Sequence, residues 1–143
     1  MAYGQTMLVL LAIILFSTMM LGYYNNLFRW YDMHNREFSR LQGLKLAESV
    51  FQEIEFTYIA DLVSFSELES AWSDSTRAVP LTGINYNINV ESSWCDSLGV
   101  DAGSESNFLR FDLRISCYPG YGDTTWVGTA THPLQKLIAD MGI

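Results

Sequence analysis

The residues that have to be judged first are two cysteines and two histidines. Cys95 and Cys117 are too far apart to form a Cys-x-x-Cys pair, and neither has a histidine near it in sequence. A zinc site needs more ligands than these two thiols supply. Two buried free thiols are one reading. The apolar N-terminal segment described below favours the other, a Cys95–Cys117 disulfide formed in an oxidising compartment. Closing the loop from Asp96 to Ser116 would be worth about 3 kcal/mol. His34 and His132 are distant in sequence. His34 falls in helical sequence and reads as a surface or interface residue, and His132, just before Pro133, reads as a loop residue. The chain has no phosphate-binding glycine loop, no His-Glu-x-x-His and no Gly-x-Ser-x-Gly. No catalytic residue and no cofactor is therefore expected, and the chain is not expected to be an enzyme.

With no site to position, the distribution of polarity becomes the main source of information. The chain has 143 residues, 49% of them hydrophobic, and a formal net charge of -8. Its 8 Lys and Arg and its 16 Asp and Glu all fall at or after Arg29. The balance is acidic and the basic residues are scattered, which argues against nucleic acid as a partner. Thr6 to Tyr24, TMLVLLAIILFSTMMLGYY, carries no charge and no proline. At about 1.5 Å per residue this segment spans roughly 28 Å as a helix, close to the apolar thickness of a bilayer. Tyr23, Tyr24, Phe28, Trp30 and Tyr31 follow where an interfacial aromatic belt belongs. A cleaved secretory signal would need a basic residue ahead of the run and a small-x-small site after it. Neither is present, so the segment is expected to be retained.

Beyond this run the apolar pattern becomes one-sided. Leu41, Leu44, Ala47, Phe51, Ile54, Tyr58 and Leu62 recur at spacings of three and four, which predicts one helix from about residue 5 to about residue 62. Gly22 and Gly43 are its expected weak points, since glycine costs about 1 kcal/mol in a helix interior. The serine-rich stretch from Ser64 to Ser75 reads as a connection. Ile84, Tyr86, Ile88 and Val90 then alternate with Asn85, Asn87, Asn89 and Glu91. Leu109, Phe111, Leu113, Ile115 and Cys117 alternate with Arg110, Asp112, Arg114 and Ser116. This period-two pattern with one wet face predicts an antiparallel sheet. Thr124–Thr131 is a weaker third strand, Tyr118–Asp123 a turn, and Pro133–Met141 a short terminal helix. The expected fold is α+β: residues 1–28 a membrane-spanning or filament-core helix, residues 29–143 a head that includes the amphipathic half of that helix.

This layout resembles the type IV pilin superfamily, which includes secretion-system pseudopilins. The resemblance covers the whole chain as architecture. It implies cleavage after a glycine, a mature chain beginning with Phe or Met, and Glu at its fifth position. Here Met1 stands at the start and Gln5 takes the glutamate's place without its charge. Processing between Gly4 and Gln5 is an alternative, as is removal of a precursor segment ahead of Met1. Gly22 falls where many members have a helix-breaking residue. Some pseudopilins bind calcium, which makes Asp96, Asp101 and Glu105, together with Asp123, candidate ligands. The spacing is not that of an EF-hand, and a solvated acidic loop explains it more simply.

The resemblance implies a homopolymer, with Met1, Gln5, Leu8, Leu11, Ile14 and Phe16 as assembly residues. It implies a subunit held in the inner membrane, passed to assembly machinery and carried to the cell surface. The alternatives are a non-polymerising single-pass envelope protein and a secretion pseudopilin with an exposed binding head.

Overall fold

The computed structural model describes residues 2–120, 123–140 and 142. The chain divides into two compact units, Met1–Arg36 and Glu37–Ile143. Helix α1 spans Ala2–Ile59. No proline interrupts it, and after Arg29 its surface gains i,i+4 support from the Asp32–Arg36 ion pair at 3.2 Å.

The second unit is an α+β head. It contains the end of α1, helix α2 (Phe65–Trp72), and strands β1 (Ser75–Leu81), β2 (Ile84–Trp94), β3 (Phe108–Cys117), β4 (Thr125–Val127) and β5 (Leu134–Ala139). The sheet is antiparallel throughout. Its order is β1-β2-β3, and the far edge of β3 is shared by two strands. β4 pairs with Ile115–Cys117, and β5 with Phe108–Leu113. Gly128 lies between those two strands at φ 72°. A side chain there would press on backbone, with a Cβ only 2.7 Å from the Leu113 carbonyl oxygen.

Alternation works as the sequence predicts. Tyr86, Ile88 and Val90 of β2 and Leu109, Phe111, Leu113, Ile115 and Cys117 of β3 are buried. They close over Ala47, Val50, Ile54 and Tyr58 of α1 and Leu68 of α2, making one core. Burying a side chain of this size contributes about 1.5–3 kcal/mol.

The helix face differs from the predicted stripe. Ala47, Ile54 and Tyr58 are buried, but Leu41, Leu44 and Leu62 are exposed, Leu62 at 67%. Ser39 and Gly43 are buried in the first turns of the head instead. The helix approaches the sheet there through small residues, which admit the bulk of Tyr86 and Val127. The Tyr86 hydroxyl donates to Gln42 Oε1 at 2.8 Å and lies 3.3 Å from the Ser39 carbonyl. The Thr82 hydroxyl also donates to Gln42 Oε1, at 3.2 Å, which ties the helix to the β1–β2 turn.

Three further expectations are corrected. The serine-rich stretch holds α2 and β1 rather than a bare connection. A capping box starts α2, with the Glu67 carboxylate accepting from the Ser64 backbone N–H at 3.3 Å and from its hydroxyl at 2.7 Å. Those two bonds hold the Glu67 carboxyl below its ordinary value. The expected terminal helix is strand β5. The open edge of β3 offers this segment a row of backbone partners from Phe108 to Leu113. The expected turn at Tyr118–Asp123 falls partly on Tyr121 and Gly122, which lie outside the described residues.

The third correction is the disulfide. Cys95 and Cys117 are both buried free thiols. Their separation follows from the pairing of β2 and β3. Cys95 follows the end of β2, and its backbone N–H donates to the Phe108 carbonyl at 3.0 Å, at the start of β3. Cys117 ends β3, opposite Tyr86 near the start of β2. At about 3.4 Å per residue, nearly the whole of β3, roughly 30 Å, lies between them. A disulfide needs Cα atoms within about 7 Å.

Candidate functional site

The candidate site is the surface of α1 before Arg29. Its most apolar 18-residue window has a mean hydropathy of 2.1, and none of it is buried. Leu8, Leu11, Ile14 and Phe16, the expected assembly residues, are all exposed, Leu11 at 57%. Gln5 is exposed beside them, and Met1 lies outside the described residues. The exposure runs around the whole helix: Val9, Leu10, Ile13, Leu15 and Met19 are open to the same degree. Within this segment two threonine hydroxyls are spent locally, that of Thr6 donating to the Tyr3 carbonyl at 3.0 Å. The Thr18 hydroxyl donates to the Leu15 carbonyl at 2.9 Å, so it presents no unpaired donor to an apolar medium.

The aromatic cluster follows. Tyr23, Tyr24, Phe28, Trp30 and Tyr31 are exposed. Tyr23 and Tyr24 meet edge to face at 6.3 Å, and the His34 ring stacks on Trp30 at 5.4 Å. His34 is thus part of an aromatic pair at the polar end of the segment.

The remaining sequence-predicted residues sit in the head and are occupied by structure. The Asp96 carboxylate accepts from the backbone N–H groups of Leu98 and Val100 at 2.8 and 2.9 Å, shaping the β2–β3 loop. Asp101 pairs with Arg110 at 2.7 Å, and Arg110 also holds Asp112 at 3.2 Å. Glu105 and Asp123 are exposed. Among the described residues no group of three or more His, Cys, Asp or Glu is arranged to hold a metal ion. His132 caps its own turn, with its backbone N–H donating to the Thr129 hydroxyl at 3.1 Å.

Burial pushes both thiols above the ordinary value of 9.0. Removal from water dominates in each case. At Cys95 the nearby Arg110 opposes the shift, and Asp96, Asp101 and Asp112 add to it. At neutral pH both are protonated, apolar in character and poor nucleophiles. Burial likewise raises the Tyr86 phenol above 10.0, with the neighbouring Cys117 adding to the shift.

One set of residues not singled out in the sequence as a site is the wet face of the sheet. Trp126 is exposed there, across from Ser116 and Asn87. The signal was present in the asparagines that alternate through β2 and in the lone Trp of β4. Only the strand register shows that they meet.

The chain matches no protein-family model, no curated protein and no solved structure.

Proposed function

We propose that this chain is a structural subunit of a type IV pilin-like surface filament, held in the membrane before assembly and polymerised through its apolar helix. The observation that carries this reading is the segment ahead of Arg29, which is charge-free and exposed on every side. A surface of this kind is stable only in lipid or against other apolar surfaces. Burying one Leu or Ile contributes about 1.5–3 kcal/mol, so the segment offers on the order of tens of kcal/mol. That exceeds the association cost of about 4–15 kcal/mol. Lipid and a bundle of like helices satisfy the same surface, so one segment serves both the stored and the assembled state. Subunits related by a non-closing rotation then build a helical filament. The exposed aromatics from Tyr23 to Tyr31 suit the membrane interface while the subunit waits.

The acidic head adds bulk and surface to such a polymer. Electron microscopy of material sheared from cells that produce the chain tests the reading. Filaments labelled by an antibody to the head support it. A chain found only as dispersed membrane protein in detergent extracts favours a single-pass envelope protein and overturns the filament reading.

A further inference from the structure

The wet face of the sheet carries an open cleft of about 230 Å³, lined by Thr76, Asn87, Asn89, Arg114, Ser116 and Trp126. Strand register builds it from two adjacent rows. Asn87 stands opposite Ser116, and Ser116 opposite Trp126. Thr76 stands opposite Asn89, and Asn89 opposite Arg114. The second row is hydrogen-bonded along its length. Asn89 Nδ2 donates to the Thr76 hydroxyl at 3.4 Å, and an Arg114 guanidinium nitrogen donates to Asn89 Oδ1 at 3.4 Å. Arg114 is also ion-paired with Glu91, the next outward residue of β2.

The first row is different. Among the described residues the side chains of Asn87, Ser116 and Trp126 make no hydrogen bond to protein, and the indole is 54% exposed. The cleft therefore offers an aromatic face, an indole N–H, an amide and a hydroxyl beside a pre-ordered polar row.

We propose that this cleft binds one neutral pyranose ring, the terminal sugar of a glycan. The C–H bonds on one face of a pyranose carry the positive end of their dipoles and lie against the negative face of an indole. The hydroxyl groups at its rim both donate and accept, as amide and hydroxyl side chains do. Volume selects the size of the ligand. The cleft is smaller than the roughly 300–1,000 Å³ of pockets for drug-sized ligands, which suits a single ring. Charge selects its type. Glu91 compensates Arg114, and the chain carries a formal charge of -8, so a phosphorylated, sulfated or carboxylated ligand is disfavoured. The same charge disfavours a nucleotide stacked on Trp126. A proline-rich peptide needs a groove with several aromatics, and Trp126 is the one aromatic side chain in this lining. The cleft lies wholly in the head, so the inference holds whether or not the chain polymerises.

The test uses the full-length chain in a sugar-free amine-oxide detergent. The probes are methyl glycosides of glucose, galactose, mannose, N-acetylglucosamine and N-acetylgalactosamine. Sialyllactose, a sulfated hexose and an oligoproline peptide serve as comparators. Binding is read by saturation-transfer NMR and by calorimetric titration. Saturable binding of at least one neutral glycoside is expected, with Trp126→Ala weakening it about tenfold or more and Trp126→Phe retaining part of it. Asn87→Ala and Ser116→Ala, on two other strands, should each weaken it several-fold and decide the matter should Trp126→Ala fail to fold. The proposal is overturned if no neutral glycoside saturates, if all three alanine variants bind like the native chain, or if an anionic sugar or oligoproline binds in preference.

Discussion

A Cβ placed on Gly43 would come within 2.8 Å of Val127 Cγ2, so the backbone of helix α1 rests directly on the Val127 side chain of strand β4. The next contacts are 3.6 Å to Val127 Cβ and 3.8 Å to the Tyr86 ring. Val127 is buried and β-branched, so its methyl has little freedom to move aside. Gly43 is therefore the contact that sets how near the helix lies to the sheet.

Replacing Gly43 by alanine should destabilise the head by about 1–3 kcal/mol, the usual effect of overpacking. Alanine's better helix propensity, worth about 1 kcal/mol, offsets only part of that. Pairing Gly43→Ala with Val127→Ala should cost less than the sum of the two single changes, because the second removes the clashing methyl. Urea unfolding of the four proteins measures the coupling. Strict additivity would show that the two residues do not press on one another.

The two thiols should be free in the native protein. Alkylation without reductant should leave Cys95 and Cys117 almost unlabelled while the head is folded, and label both once it is unfolded. Mass spectrometry of the peptides reads the result. A peptide pair cross-linked from Cys95 to Cys117 would falsify the strand register.

The same thiols give stability a pH dependence. Their folded values lie above the ordinary thiol value of 9.0. The unfolded chain therefore releases these protons first as pH rises, and the folded state binds more protons than the unfolded one. Stability from this source is complete below the unfolded value and falls above it. Under reducing conditions the urea midpoint should decline as pH rises above the ordinary thiol value of 9.0. The decline should be shallower in Cys95→Ala and in Cys117→Ala. An equally steep decline in both variants would assign it to other groups, Tyr86 first among them.

Placing a charge in the apolar segment should block its burial. Leu11→Arg costs at least several kcal/mol in an apolar bundle or a bilayer. Filament yield in sheared material should fall to background, and membrane retention should weaken. Normal filaments from this variant would remove the segment from the assembly interface.

The head should fold without the apolar segment. A fragment of residues 37–143 keeps the whole core formed by α1, α2 and the sheet. It should be soluble and monomeric, with mixed helix and strand by circular dichroism, and it should not polymerise, since like-charged heads repel at low salt. Reductant should leave its melting temperature unchanged, because the core holds no disulfide. Polymerisation of the fragment alone would place the assembly element in the head.

Local composition alone determines part of this protein. The charge-free run before Arg29 states its own environment, since each of those side chains needs an apolar neighbour in any conformation that buries it. The alternation through Ile84–Val90 and Leu109–Cys117 likewise determines two antiparallel strands with one wet face. Period two is a property of the strand itself. The Ser64–Glu67 capping box was equally local and announced α2, although the serines around it suggested a connection.

Tertiary structure decided whatever depends on which element lies beside which. Pairing β2 with β3 in opposite directions carried Cys95 and Cys117 to opposite ends of the hairpin, although both are buried. The open edge of β3 drew Leu134–Ala139 into a strand. Ser39 and Gly43 became core positions while Leu41 and Leu44 turned outward, because a helix rotates to bring its smallest side chains to its closest contact. Asn87, Ser116 and Trp126 came together through the register of three strands. Periodicity in a sequence records which residues are buried, whereas register and helix rotation are settled by the non-local packing that buries them.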